Sequence, residues 1–265
     1  MAGKRSVVRQ GIALLVTAWL VASSSSAAGE PIKVHLREGN ARGFLVLHTA
    51  EGAPIAYGEF RQKPAGAMIE SQLVLRFGDG SLRDEVATFS QAGHFRLEAY
   101  RLVQRGPSFP TTEISFARRT GQYTARTQEK KGDEEQTASG ALEMPTDLYN
   151  GMAMTLLKNL PVSGRAAAQM AVFTPKPRLI KMTLARETEV AARVGPERTS
   201  INQYLVKLEV TGITGVVASL LGKEPPDARY WFAAGDVPAF VRFEGAMYLH
   251  GPIWHLEQTL PELPR

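Results

Sequence analysis

The sequence predicts a mainly β protein: a strongly curved antiparallel sheet, or an open β-barrel, wrapped around one central helix. Three observations carry this expectation. From Gly43 to about Leu142, short runs of alternating hydrophobicity are separated by turn residues at intervals of about ten. One segment, 146–160, carries a helical period instead. No solenoid repeat or low-complexity linker divides the chain, so 43–265 reads as a single β-rich domain.

The first 28 residues stand apart from the fold. Lys4, Arg5 and Arg9 precede an apolar run from Gly11 to Ala22, and small residues fill Ser23 to Ala28. That is the pattern of a cleaved secretory signal peptide. The apolar core is shorter than the about 20 residues needed to span a bilayer, so no transmembrane segment is expected after its removal. No adjacent arginine pair is present in the n-region, which favours the general secretory route and a periplasmic or secreted location. Residues 29–42 are expected to be a flexible lead-in. The signal carries three of the 31 basic residues and none of the 26 acidic ones, so the net charge of +5 becomes +2 without it. A near-neutral chain with no basic stripe is not expected to bind nucleic acid. The absence of cysteine excludes thiolate nucleophiles, cysteine-ligated metal, disulfides and a lipid-modified N-terminal cysteine.

The first strands are expected at Phe44 to Thr49 and Ile55 to Gln62, and then through Leu73, Leu75 and Phe77, which share a face. Gly78-Asp79-Gly80-Ser81 is a hairpin turn, because Asp-Gly tolerates the positive φ of a tight reversal. Leu82 to Ser90 answers it. In His94 to Gln104, Phe95, Leu97 and Ala99 share one parity while Tyr100 and Leu102 take the other, which predicts a bulge near Ala99 and a bent strand. Glu113 to Arg118, Gln122 to Gln128 and Glu134 to Leu142 continue the series, with the polar stretch 128–135 as an exposed ribbon.

After Pro145, Thr146 suits an N-cap, Asp147 suits the positive end of the helix dipole, and Pro161 stops the element. Leu148, Met152, Leu156 and Leu160 form its apolar stripe. Strands resume at Ala168 to Phe173, Leu179 to Glu187, Thr188 to Val194 and Ser200 to Thr211. Arg229 to Ala234, Ala239 to Glu244 and Ile253 to Leu260 complete the set. Between them, Thr211 to Gly222 has no charged residue and is read either as a buried short helix or as an apolar lid.

Candidate chemistry is sparse. His255 and Glu257 lie two apart and share a strand face, so they are the weak candidates for a metal site or for a hydrolase. Asp79, Asp84 and Glu85 could form paired carboxylates for acid–base work, but Asp79 is accounted for by its turn and Asp84 with Arg83 reads as surface charge. His48 and His94 are isolated. No Gly-x-Ser-x-Gly elbow or Ser-x-x-Lys pair is present, and Gly78-x-Gly80 lacks the helix that a phosphate loop requires. No cofactor is expected.

The turn-bearing motifs Pro54-Ile55-Ala56-Tyr57-Gly58, Leu156-Leu157-Lys158-Asn159-Leu160-Pro161, Thr174-Pro175-Lys176-Pro177-Arg178, Gly222-Lys223-Glu224-Pro225-Pro226-Asp227 and Gly251-Pro252-Ile253-Trp254 resemble those of exported bacterial proteins grouped as a domain of unknown function. The resemblance spans Gly43 to Leu260. It implies a periplasmic β-rich domain broadly similar to the envelope lipoprotein carriers, and it implies no catalytic residue.

Three functions are therefore weighed. The first is binding of a hydrophobic or lipid-like ligand in the sheet's concavity, lined by Leu148, Met152, Leu156, Val216, Leu220 and Leu221. The second is an envelope interaction or scaffold module that uses the 128–135 ribbon or an edge strand to hold a protein partner. The third is the hydrolase using His255 and Glu257.

Overall fold

A computed structural model describes residues 29–128, 132–161, 163–174, 176–194, 197–209 and 226–259. Its strands are β1 (Ala41–Thr49), β2 (Pro54–Ala65), β3 (Met68–Phe77), β4 (Leu82–Ala92), β5 (His94–Arg105), β6 (Thr111–Ala117), β7 (Gln122–Gln128) and β8 (Gln136–Ala141), then β9 (Arg165–Phe173), β10 (Pro177–Val194), β11 (Glu197–Glu209), β12 (Ala228–Ala233), β13 (Ala239–Ala246) and β14 (Ile253–Thr259). Each expected strand has a counterpart. The runs read as 179–187 and 188–194 are one strand, β10, whose register against β11 shifts between Arg186 and Thr188 at the expected break.

All fourteen strands form one antiparallel sheet in the order β8-β7-β6-β5-β4-β3-β2-β1-β14-β13-β12-β11-β10-β9. The chain thus starts in the middle of the sheet. It meanders outward through β8, crosses to the far edge, and returns from β9 to pair β14 with β1. Local turn chemistry drives the meander: the backbone N–H of Ser81 donates to Asp79 Oδ1 at 2.8 Å in the β3–β4 hairpin. The expected bulge is present, because Thr88 pairs with Ala99 whereas Phe89 pairs with Leu97, leaving Glu98 as the extra residue. Such a bulge strengthens local twist and bends the strand.

The sheet rolls up without closing. Phe173 on β9 packs on Phe116 of β6 and Tyr123 of β7, with ring centroids 5.9 and 5.7 Å apart. Since both are inward-facing buried rings, β9 tucks beneath β6 and β7 instead of pairing with β8. Two apolar clusters fill the interior. The larger one joins β3 to β7, the β8–β9 crossover and β9 to β12, and the smaller one gathers Leu45, Leu47, Leu75, Phe77, Phe109, Trp254 and Leu256.

The central helix expected over 146–160 is corrected: the described chain contains only α1 (Ala153–Leu157), five residues long. Tertiary pairing overrides the helical period here. Leu148 forms a parallel bridge with Gln169 of β9, with Tyr149 N donating to Gln169 O at 2.9 Å and Gln169 N donating to Asp147 O at 2.8 Å. Asn150 completes this pseudo-strand by exchanging two side-chain hydrogen bonds with the backbone of Ala171. Gly151 then turns with φ +70, a left-handed conformation that a helix interior does not allow. A Cβ there would lie 3.1 Å from the Tyr100 ring and 3.3 Å from Ala87, so the crossover approaches β4 and β5 closely at this glycine.

Residues 29–38 are laced onto this crossover and onto the β4–β5 hairpin. Val34 N donates to Gly93 O and Phe95 N to Ile32 O, each at 2.9 Å. Ile32 N donates to Tyr149 Oη at 3.1 Å, and Asn159 Oδ1 accepts from His35 N and Leu36 N. Lys158 pairs with Glu38 at 2.7 Å. Among the described residues no helix is long and apolar enough to cross a membrane.

Candidate functional site

The concave face is occupied by the chain itself. Leu148, Met152 and Leu156 are each at most 1% exposed, together with Tyr149 and Leu157, and all five belong to the larger core cluster. The structure therefore brings these three expected ligand-lining residues together, as packed core. Val216, Leu220 and Leu221 lie outside the described residues.

A polar stripe crosses the inner face between the two apolar clusters. Arg83 and Glu85 of β4 point inward with Ala87 and Phe89, so reading Arg83 as surface charge is corrected. Arg83 bonds Gln104 Oε1, the Met247 carbonyl at 2.9 Å and Glu85 at 2.8 Å, and Tyr100 donates to Glu85 Oε1 at 2.7 Å. Burial and the neighbouring Glu85 carboxylate push the Tyr100 and Tyr230 phenols well above their ordinary range. The Arg83 Nε has no hydrogen-bond partner. Counting strand parity back from Phe89 would have revealed this stripe. Apart from that nitrogen, its groups bond one another across β4 and β5 and reach the Met247 carbonyl, which gives it a fastening role.

Asp79 sits in its turn as expected, held low by hydrogen bonds from Ser81 and Ser108 against a burial effect that acts the other way. Asp84 faces outward to Gln72 and Arg101. His255 and Glu257 also face outward, because Trp254 and Leu256 alternate with them into the core. His255 Nε2 lies 3.5 Å from Glu244, and Glu257 lies 3.7 Å from Arg242, which in turn reaches Glu244 at 3.1 Å. Among the described residues no group of three His, Asp or Glu side chains is arranged to hold a metal ion.

The two sheet edges differ. The β9 edge is covered by Asp147 to Asn150, as described above. Among the described residues the β8 edge pairs only with β7, and its six residues Gln136–Ala141 are mostly exposed. An uncovered edge presents unpaired N–H and C=O groups, a template for another strand. Natural sheets blunt such edges with lysine, proline or bulges; Gln-Thr-Ala-Ser-Gly-Ala has no charge and no proline. Exposed Glu134 and Glu135 precede it and exposed Glu143 follows it, Glu135 being paired with Arg126 at 2.6 Å. A shallow outer trough of about 430 Å³ lies over β4 to β7, floored by Ala99, Ala117 and Ser115, and stops one strand short of this edge.

The fold and its edges define a rolled antiparallel β domain stapled by its own crossover. Among solved structures it is similar to a β-barrel-like protein of domain of unknown function DUF1849 from Brucella abortus, with a TM-score of 0.48 and 9% identity over 84% of this chain and 97% of that one. No family model matches the sequence, and no curated protein matches it.

Proposed function

We propose that the chain is an exported, non-enzymatic interaction module that holds a protein partner by adding one of the partner's strands to its β8 edge. The observation that carries this is the asymmetry of the edges: among the described residues one is covered at Gln169 to Ala171 by the crossover, while the other pairs with β7 alone on its inner side and is uncharged and free of proline. Added strands gain affinity from main-chain hydrogen bonds. The flanking carboxylates select among partners. A second copy laid antiparallel in the symmetric register would set Glu134 opposite Glu143 twice, a repulsive arrangement. A partner segment with lysine or arginine at both ends, about 30 Å apart at 3.3 Å per residue, suits the acidic flanks. Export is supported by the signal-like pattern of residues 1–28.

A hydrophobic ligand in the concavity would require Leu148, Met152 and Leu156 to leave the core. A hydrolase at His255 and Glu257 would require His255 to leave its contact with Glu244 and Glu257 its pairing with Arg242 on the outer face.

Photo-crosslinking in intact cells tests the proposal. A crosslinking residue at Thr137 or Ser139 is expected to give a discrete protein adduct that is absent from the exposed control position Arg61. Thr137→Lys with Ser139→Lys, which blocks the edge and repels basic flanks, is expected to abolish an adduct formed from Gln136 while leaving the melting temperature unchanged. Equal crosslinking from Arg61, or an adduct that survives the lysines, would overturn it.

A further inference from the structure

The backbone nitrogen of Gly29 sits 2.7 Å from Asp147 Oδ2. Asp147 is 0% exposed, and its other side-chain donor is the neutral Gln169 amide, at 3.0 and 3.1 Å from its two oxygens. Among the described residues no lysine, arginine or histidine forms an ion pair with it, although a buried carboxylate is costly without a positive partner. Gly29 is also the first residue after Ser26-Ala27-Ala28, the small-residue stretch suited to an export peptidase. We propose that hydrolysis of the Ala28–Gly29 peptide bond creates the missing cation, and that the new α-ammonium of Gly29 forms a buried ion pair with Asp147. Water adds across the C–N bond, leaving a carboxylate on Ala28 and an amine on Gly29 that takes up a proton. The inference rests on the export part of the proposed function and extends it to a maturation lock.

Three features make the position specific. A Cβ on residue 29 would fall 2.6 Å from the Ala167 carbonyl oxygen and 3.1 Å from Asp147 Oδ2, so only glycine fits. Asp147 is the residue that docks the crossover on β9, through its own carbonyl and through Gln169. The chain after Gly29 runs directly into the bonds of Ile32 with Tyr149 and Phe95, so a charge at Gly29 reinforces the same junction. Processing thereby seals the β9 edge, while β8 stays open.

The test uses four purified proteins of defined N-terminus: chains starting at Gly29 or at Ala28, each with Asp147 or Asp147→Asn. The Gly29 start is expected to raise the folding equilibrium constant about tenfold over the Ala28 start, within the range of coupling for directly bonded charges. Asp147→Asn is expected to erase that difference. Equal stability of the two starts, or an equal loss from Asp147→Asn in both, would overturn the ion pair. If the asparagine variants do not fold, the two wild-type starts decide alone. N-terminal sequencing of the exported protein completes the test, with Gly29 expected. A start at Ala28 or Glu30 would overturn the lock only, whereas an intact Met1 would overturn export itself; neither bears on the β8 edge.

Discussion

Truncating Leu156 to alanine asks whether the space inside the rolled sheet is solid. The side chain is fully buried beside Leu148, Tyr149, Met152 and Leu157. Removing three carbons forfeits about 2.5 kcal/mol of transfer free energy at about 0.8 kcal/mol each. The cavity left behind adds about 24 cal/mol per Å³, bringing leucine-to-alanine changes in packed cores to about 3–5 kcal/mol. For a domain of this size 1 kcal/mol shifts the melting temperature by about 2–4 °C, so even the lower figure gives about 6–12 °C. Urea unfolding followed by tryptophan fluorescence reads the loss as a lower midpoint at unchanged slope. Val237→Ala, at a position 71% exposed, is the control and is expected to change stability by less than about 0.5 kcal/mol. A cost below about 1 kcal/mol at Leu156 would mean that the residue lines a void or a solvent-filled pocket, and the solid interior would be refuted.

Other expectations follow from the polar stripe and the outer face. Arg83→Met should cost about 3 kcal/mol by leaving Glu85 buried without its cation, and adding Glu85→Leu should recover most of it; a single and a double variant of equal stability would contradict this. Tyr100 and Tyr230 keep their protons to higher pH when folded than when unfolded, so the unfolded chain releases them first and stability falls as pH rises above about 10 toward the raised folded values. The slope should reach about 1.4 kcal/mol per pH unit per tyrosine and flatten in Tyr230→Phe; a urea midpoint constant from pH 9 to 11 would contradict it. His255→Ala and Glu257→Ala should each leave zinc content at background and change stability by less than about 1 kcal/mol, as measured by elemental analysis and urea unfolding; stoichiometric metal lost in either variant would restore a metal site.

The strands were legible because a half-buried sheet writes its period into every run, and because turns such as Asp79-Gly80 are encoded locally. Even the bulge at Glu98–Ala99 showed as a change of parity. The crossover was misread as a long helix because its buried residues share the i, i+4 spacing of Leu148, Met152 and Leu156. What decides its shape is non-local: the β9 edge offers Gln169 and Ala171, and Gly151 must pass close to Tyr100 and Ala87. The inward Arg83 was hidden by its charge, although its parity with Ala87 and Phe89 was available. The edge could not be read from β8 alone, since its six uncharged residues acquire meaning only once no described strand is found on their far side. The pairing of Gly29 with Asp147 spans 118 positions and leaves no local pattern.

The central claim is that the chain fills its own concavity and offers its edge instead. Native mass spectrometry of the protein, purified without detergent, tests this most directly. The expected result is the mass of the polypeptide alone, unchanged on incubation with fatty acids or phospholipid vesicles. A stoichiometric acyl-chain species retained on the protein would contradict it and would move the function back into the space that Leu148, Met152 and Leu156 occupy.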